Sequence, residues 1–368
     1  MTTIEIDRVS GDVADPGPTE GEVEAQIGRI MTDLGGALGS LLISLGTRSG
    51  LWAALAAAGP LTSTEVAARV SVDPALVREW LRAQAAGGYL EYRAVDDTFV
   101  LPDAVAAAIL YGPGGAIVEA CVTMLASMGE GFAEFSEAFT AGDGYGWHRR
   151  TAEHWHGTDA LTQIAVPPEL IEATIAQLPD IAAALAAGAS VVDVGCGFGA
   201  PTRAIAALFP TAAVLGIDYP DASIMHARAA ADGRANLRFE VAAATELPGD
   251  GFSLITFFDS LHDLGDPRGA LVRARAAVAD DGAVLLFEPM AGDDVVDNLN
   301  PSGRMFYAIS TLACTPNAVT QRTDSSSEPL GAQAGERALR ELAIEAGFGT
   351  VRRLDIPMPM NLVLELRP

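Results

Sequence analysis

The 368-residue chain contains no lysine; all 23 of its basic residues are arginine. That excludes a Schiff-base lysine, pyridoxal-phosphate chemistry and a phosphate-binding loop ending in Gly-Lys-Ser/Thr. Positive charge is scarce in general, because 48 acids leave a net charge of −25. A nucleic acid is held largely through Lys and Arg neutralising phosphates, so it is not an expected partner. Only three cysteines occur, Cys121, Cys196 and Cys314, odd in number and far apart. Neither a disulfide framework nor a zinc site follows from them. The five histidines are scattered, and His154 and His156 have no ligand pattern beside them, so no metal is expected. No apolar run approaches the roughly 20 residues that cross a bilayer, and the N-terminus lacks the layout of a secretory signal. These absences together lead to an expectation of a cytoplasmic protein with no membrane partner.

What is present suits two domains. The length exceeds one average domain, and 49% apolar residues can fill two cores. Residues 1–22 are acidic, with Gly and Pro, and read as a disordered tail. From Val23 to Ala58 the apolar residues Ile27, Ile30, Met31, Leu34, Leu38, Leu41 and Leu42 recur at helical spacing. Gly35, Gly36 and Gly39 would allow close helix packing, for instance against a second subunit. Thr62-Ser-Thr-Glu65 is a capping box, Asp73-Pro74 opens a second short helix, and Tyr89–Tyr92 and Thr98–Leu101 flank a polar turn. Helix, turn, helix and hairpin make a winged helix. Residues 61–100 carry four Arg against six acids, a net of −2. A DNA-reading helix needs a positive footprint, so packing or dimerisation is the expected role.

Residues 103–187 read as mostly helical, with aromatic and His-rich loops at Tyr145–His148 and His154–His156. After Ala189 strand and helix patterns alternate, as in a parallel sheet covered by helices on both faces. The alternation breaks at 290–330, read as a lid over the substrate. It resumes with a helix at 333–346 and two short strands. The expected domains are therefore a tail at 1–22, a helical and winged-helix domain at 23–150, and an α/β domain at 151–368.

Val191-Val-Asp-Val-Gly-Cys-Gly-Phe-Gly-Ala200 sits where the first strand of that domain meets its first helix. Gly195, Gly197 and Gly199 allow a tight turn and let a nucleotide lie against bare backbone. The glycines alone also satisfy the loose dinucleotide fingerprint, which leaves an NAD-dependent oxidoreductase open. Asp193 is placed to reach an α-amino group. Asp218, ending the second strand, can accept both ribose hydroxyls in either cofactor, with Tyr219 beside it. A later strand, Phe252–Phe258, runs into Asp259-Ser-Leu-His-Asp-Leu-Gly-Asp-Pro267.

At these residues the chain resembles the class I S-adenosylmethionine-dependent methyltransferases, over roughly 25–368. Asp193-x-Gly195-x-Gly197-x-Gly199 looks like their first motif and Asp218 like their ribose-binding acid. The Asp259-to-Asp263 segment and the closing pair of strands match as well. Within the family the chain is similar to actinobacterial small-molecule enzymes with a winged-helix front domain and a segment such as Asn300-Pro-Ser-Gly-Arg-Met-Phe-Tyr307. The resemblance implies a doubly wound, seven-stranded Rossmann-like sheet, S-adenosyl-L-methionine as cofactor and a homodimer. It also implies a small, apolar or aromatic acceptor in secondary metabolism, methylated on indole C3 or on oxygen. One departure is Ala243, where the family often has an acid for the adenine amino group; Thr245 is the substitute contact. The other reading of the architecture is a transcription regulator with a methyltransferase-like sensor domain.

Methyl transfer needs a nucleophile aligned behind an activated methyl, and a base where that nucleophile must lose a proton. His262 is the first candidate base, with orientation of the cofactor as its alternative role, and Tyr307 is the second. Asp259 is a candidate for the methionine end of the cofactor. His154, Trp155, His156, Met305 and Phe306 are candidates for the acceptor cavity.

Overall fold

The computed structural model describes residues 17–322, 327–358 and 360–368. Most of the expected tail, 1–16, lies outside the described residues, as do 323–326 of the expected lid. The first helix, Glu20–Arg48, starts inside the expected tail. Its start is set by a capping box: the Thr19 backbone N–H donates to Glu22 at 2.7 Å, and the Glu22 N–H donates to Thr19 Oγ1 at 3.3 Å. The helical pattern read through to Ala58 is broken at Gly50, whose φ of +74° ends one helix before Leu51–Leu55 begins.

The described residues form two compact units, divided between Gly115 and Ala116. In the first, helices Ser63–Val70 and Pro74–Ala86 precede a hairpin of β1 (Glu91–Arg93) and β2 (Thr98–Val100), with Tyr92 opposite Phe99. Trp52 and Trp80 meet edge to face at 4.7 Å in its core. Their indole N–H groups donate to Ile43 O and Leu42 O, which pins the C-terminal end of the long helix. Gly46 is required there, since a Cβ would lie 2.4 Å from the Trp80 ring. Ahead of that anchor the apolar stripe is bare: Ile27, Ile30, Met31, Leu34 and Leu38 are each more than half exposed. Among the described residues, nothing outside the helix's own turn lies within 4 Å of a Cβ built on Gly35, Gly36 or Gly39. By length and composition alone this helix could also cross a bilayer, which reading for unbroken apolar runs did not show.

The second unit begins 35 residues before the expected border at 150. Residues 116–150 belong to it because they are bonded into it. Tyr145 N–H donates to Pro316 O at 2.9 Å, and Trp147 N–H donates to Tyr219 Oη at 3.0 Å. Gly157 of helix Ala152–Ala165 packs directly on Ala120 and Met124.

Its sheet has seven strands: β3 (Ser190–Val194), β4 (Ala213–Asp218), β5 (Leu237–Val241), β6 (Phe252–Phe258), β7 (Val278–Pro289), β8 (Thr350–Arg353) and β9 (Asn361–Arg367). Their order is β5-β4-β3-β6-β7-β9-β8, parallel from β5 to β7, with β9 antiparallel between β7 and β8. Side chains alternate between two cores. Val191, Val214, Leu254 and Phe287 face one layer of helices, and Val192, Ile217, Ile255 and Leu286 face the other. Burial on both faces explains why these strands read as continuous apolar runs. The chain leaves β3 in opposite directions toward β4 and β6, which opens a crevice at the carboxyl ends of the strands.

Two local expectations change. His154-Trp155-His156 is not a loop but the first turn of helix Ala152–Ala165, started by Thr151, whose hydroxyl accepts from the His154 N–H. The segment after β7 is largely helical, with helices Pro301–Ile309 and Thr315–Gln321 joined by a wider turn at Ser310–Cys314.

Candidate active site

The glycine turn after β3 forms the floor of a cleft at the carboxyl ends of the strands. Gly195 has φ +72° and must be glycine, because a Cβ would lie 2.6 Å from Ser260 Cβ. Gly197 lines the cleft. Gly199 does not; its missing side chain makes room for the Phe239 ring, so its role here is packing at the head of helix Ala200–Leu208.

Four carboxylates from the strand ends and one from a covering helix line the cleft: Asp193, Asp218, Asp259, Asp263 and Asp159. Asp193 is 1% exposed; Oδ2 accepts from the Thr202 hydroxyl at 2.6 Å and Oδ1 from the Thr256 hydroxyl at 2.9 Å. Asp218 spans the turn: Oδ2 accepts from Gly197 N–H and Oδ1 from Tyr219 N–H, both at 2.8 Å. Burial pushes both carboxyls up to about 6. Asp259, in the left-handed region at φ +49°, accepts from Asn361 Nδ2. Burial and the neighbouring Glu288 push its carboxyl up to about 7. Among the described residues, none that lines the cleft is basic. Such a site favours a ligand that brings positive charge. It disfavours a dinucleotide, whose pyrophosphate would meet carboxylates with no cation to offset them. A sulfonium with an α-ammonium group fits the donor and acceptor set; the acids that burial holds partly protonated become favourable partners once it binds.

Helix Ala152–Ala165 covers the cleft with Trp155, Thr158, Asp159 and Thr162, one face at spacings of three and four. That periodicity corrects the expectation for its histidines, each about 100° away around the helix. His154 is fully buried, packs on Trp147, and has neither ring nitrogen hydrogen-bonded; burial and Arg150 pull it down to about 3. His156 faces away, edge-on to Phe198 and His226.

His262 is also outside the cleft lining. Its Nδ1 lies 2.6 Å from Glu288 Oε2, and its Nε2 lies 3.4 Å from Asp263 Oδ1. Burial acts to strip the proton, but Glu288, Asp263 and Cys314 outweigh it and hold the imidazole well above its usual range. A buried imidazolium pointed at Glu288 cannot take a proton from a substrate. The next residue, Asp263, faces the cleft instead, with Oδ2 accepting from the Trp147 indole at 3.0 Å. His262, Asp263 and Cys314 offer three donor atoms within 4.8 Å of one another, but burial pushes the Cys314 thiol up to about 12, so it is a thiol and not a thiolate ligand.

Tyr307, Met305 and Phe306 sit on helix Pro301–Ile309 and do not line the cleft; Phe306 packs on Ala313, Cys314 and Ala332. Thr245 is exposed beyond β5 and is likewise outside it. Sequence reasoning missed Asn317. Its Oδ1 accepts from Tyr219 Oη at 2.8 Å and Trp147 N–H at 3.1 Å, and its Nδ2 donates to Asp263 O at 2.9 Å. Gln321, one turn on, donates to the same carbonyl. Their i, i+4 spacing on one helix was the only available signal.

Comparison with known proteins agrees with this geometry. Residues 37–110 match the Rv2258c-like winged HTH domain, and residues 192–284 match a methyltransferase domain family. A trans-aconitate 2-methyltransferase of Paracidovorax citrulli is 33% identical over 105 residues, 28% of this chain. The match spans 40% of that enzyme's length. The structure of mitomycin 7-O-methyltransferase superposes with a TM-score of 0.63 at 18% identity, covering 95% of this chain and all of the other. Human N-acetylserotonin methyltransferase, solved with S-adenosylmethionine, gives 0.59 at 18% identity over 93% of this chain and 97% of its own. These likenesses establish the class I methyltransferase fold.

Proposed function

We propose that this two-domain class I methyltransferase carries the methyl group of S-adenosylmethionine to a small, largely apolar or aromatic acceptor. The observation that carries the reading is the acid-lined cleft over the glycine turn at 195–197, with no basic residue among its described lining. Bound there, the cofactor supplies an activated methyl on sulfonium. Asp218 accepts the ribose hydroxyls while its backbone contacts to Gly197 and Tyr219 fix the turn. Asp193 and Asp259 face the ammonium and methionine end. Trp147, Trp155 and Phe198 exclude water and hold the reactants in line, which is where most of the rate of such a transfer arises. His262 holds a proton and orients the 261–263 turn through Glu288, which also accepts from Leu261 N–H at 2.9 Å. It is a positioning residue in this reading, not the base.

The same reading takes the bare stripe of helix Glu20–Arg48 as a homodimer contact and the three free thiols as fitting a cytoplasmic setting. Oxygen is favoured over carbon as the methylated atom. Mitomycin 7-O-methyltransferase, which shares the fold, transfers to oxygen. The test is incubation with methyl-deuterated S-adenosylmethionine and a fractionated bacterial metabolite extract, read by mass spectrometry. Label in a small molecule supports the reading. Label confined to nucleic acid or protein, or none from protein that binds the cofactor, contradicts it.

A further inference from the structure

The cofactor cleft leaves one half-buried cation unexplained. Arg150 lies between the turn Trp147–Arg149 and Thr151, the cap of helix Ala152–Ala165. Its Nη2 donates to Leu312 O at 2.7 Å, and its guanidinium lies 5.2 Å from the Tyr145 ring centre and 5.5 Å from that of Trp147. Nε is buried with no hydrogen-bond partner among the described residues. Nor does any described carboxylate form an ion pair with it, since Asp263 acts on it only from beyond contact distance. A guanidinium does not discharge at any physiological pH, so one drawn partly out of water without a counter-ion is unfavourable unless something else supplies the anion.

Arg150 lines a second, narrow pocket beside helices Gly114–Glu130 and Phe132–Ala141. The walls are apolar and aromatic: Met128, Phe132, Phe135, Tyr145 and Leu312. The hydroxyls of Ser127 and Thr151, 2.8 Å apart, add polar groups. Trp147 connects this pocket to the cofactor cleft. Its ring carries the Arg150 guanidinium, its Nε1 donates to Asp263, and it lines the cleft itself.

We propose that this pocket seats the acceptor and that Arg150 binds a carboxylate on it. The inference rests on the methyl-transfer reading and narrows it: the acceptor is an apolar or aromatic carboxylic acid. A guanidinium matches a carboxylate with two parallel N–H donors, and the orphaned Nε belongs to that fork. A single cation balances a monoanion; a phosphate dianion would be left half neutralised in a protein of net charge −25. The ring or chain of the acceptor lies among Met128, Phe132, Phe135 and Leu312, and its nucleophile reaches the cleft past Trp147.

The test is calorimetry on the full chain saturated with S-adenosylhomocysteine. The ligands are matched pairs: indole-3-acetate and indole-3-acetamide, phenylpropionate and phenylpropionamide, benzoate and benzamide. The wild type is expected to bind the acids at least about tenfold more tightly than the amides, as charge-assisted bonds to a half-buried guanidinium require. Arg150→Gln erases that preference while S-adenosylhomocysteine still binds. Arg150→Lys restores part of it, a rescue that a purely structural role would not show. A wild type with no preference for acids, including one that binds neither member of any pair, overturns the proposal, as does an Arg150→Gln variant that keeps the preference. Failure of S-adenosylhomocysteine itself to bind strikes the methyl-transfer reading instead, so the two failures are distinct.

Discussion

Replacing Asp218 with alanine should weaken cofactor binding about tenfold to a hundredfold. Its carboxylate already accepts from Gly197 N–H and Tyr219 N–H, both at 2.8 Å, and lines the cleft with its remaining lone pairs. A hydrogen bond to a charged group contributes roughly 1.5–3 kcal/mol, and each 1.4 kcal/mol is a factor of ten in affinity. Asp218→Asn separates charge from shape. The amide offers one acceptor to two backbone donors, so one N–H is left facing an NH₂ group. That should lower stability by roughly 1–3 kcal/mol as well as affinity by about tenfold. Because burial pushes Asp218 up to about 6, the gap between wild type and Asp218→Asn should narrow as pH falls below that value. The assay is calorimetric titration with S-adenosylhomocysteine at pH 5 and 7.5, with Asp250→Asn as the control. Asp250 is exposed and bonded to Arg273 outside the cleft. A folded Asp218→Ala variant with affinity within about twofold of wild type would refute the reasoning.

The other acids give a pH dependence with a definite sign. Asp193 and Asp218 have carboxyls raised to about 6 in the folded protein, so their contribution to stability is full below the unfolded value and is lost as pH rises through 6. A cationic ligand reverses that loss. The rise in melting temperature on adding S-adenosylmethionine should therefore grow from pH 5 to 7, and a flat or falling response would contradict the acid-cleft argument. His262 carries the same sign in a more alkaline window. Its pKa is raised, so the Glu288 pair stabilises the fold below the usual histidine value and is lost as pH climbs through the raised one, on the alkaline side. His262→Asn should cost roughly 3–5 kcal/mol by stranding Glu288, and should remove that alkaline loss. Thermal melts between pH 7 and 10 check this; a variant melting within about 2 °C of wild type shows that the pair is not structural.

The glycine turn, Asp193, Asp218 and the strand-helix alternation were legible because each depends on spacing within a few residues. The capping boxes at Thr19 and Thr62 are local in the same way, yet only the second was read, because the first lies in an acidic stretch that resembles a tail. Orientation was not legible. Whether His262 or Asp263 faces the cleft is settled by a single short turn and by Glu288, 26 residues away in sequence. Trp155 reaches the cleft and its two histidine neighbours do not, since the segment is helical where a loop had been expected. Asn317 and Arg150 could not be found at all. One gathers Trp147, Tyr219 and Asp263 from three remote stretches, and the other matters only because nothing close by neutralises it. The unit border at 115 was hidden for a related reason: residues 116–150 look like the helices before them but contact helix Ala152–Ala165, Tyr219 and the helix after β7.

Calorimetric titration of the purified full chain with S-adenosylmethionine and, separately, with NAD is the most direct test. Saturable one-to-one binding of the sulfonium compound, with no heat from NAD, is the predicted result. Binding of NAD alone, or of neither by protein with a cooperative thermal transition, would contradict a cleft whose buried carboxylates are built around a cation.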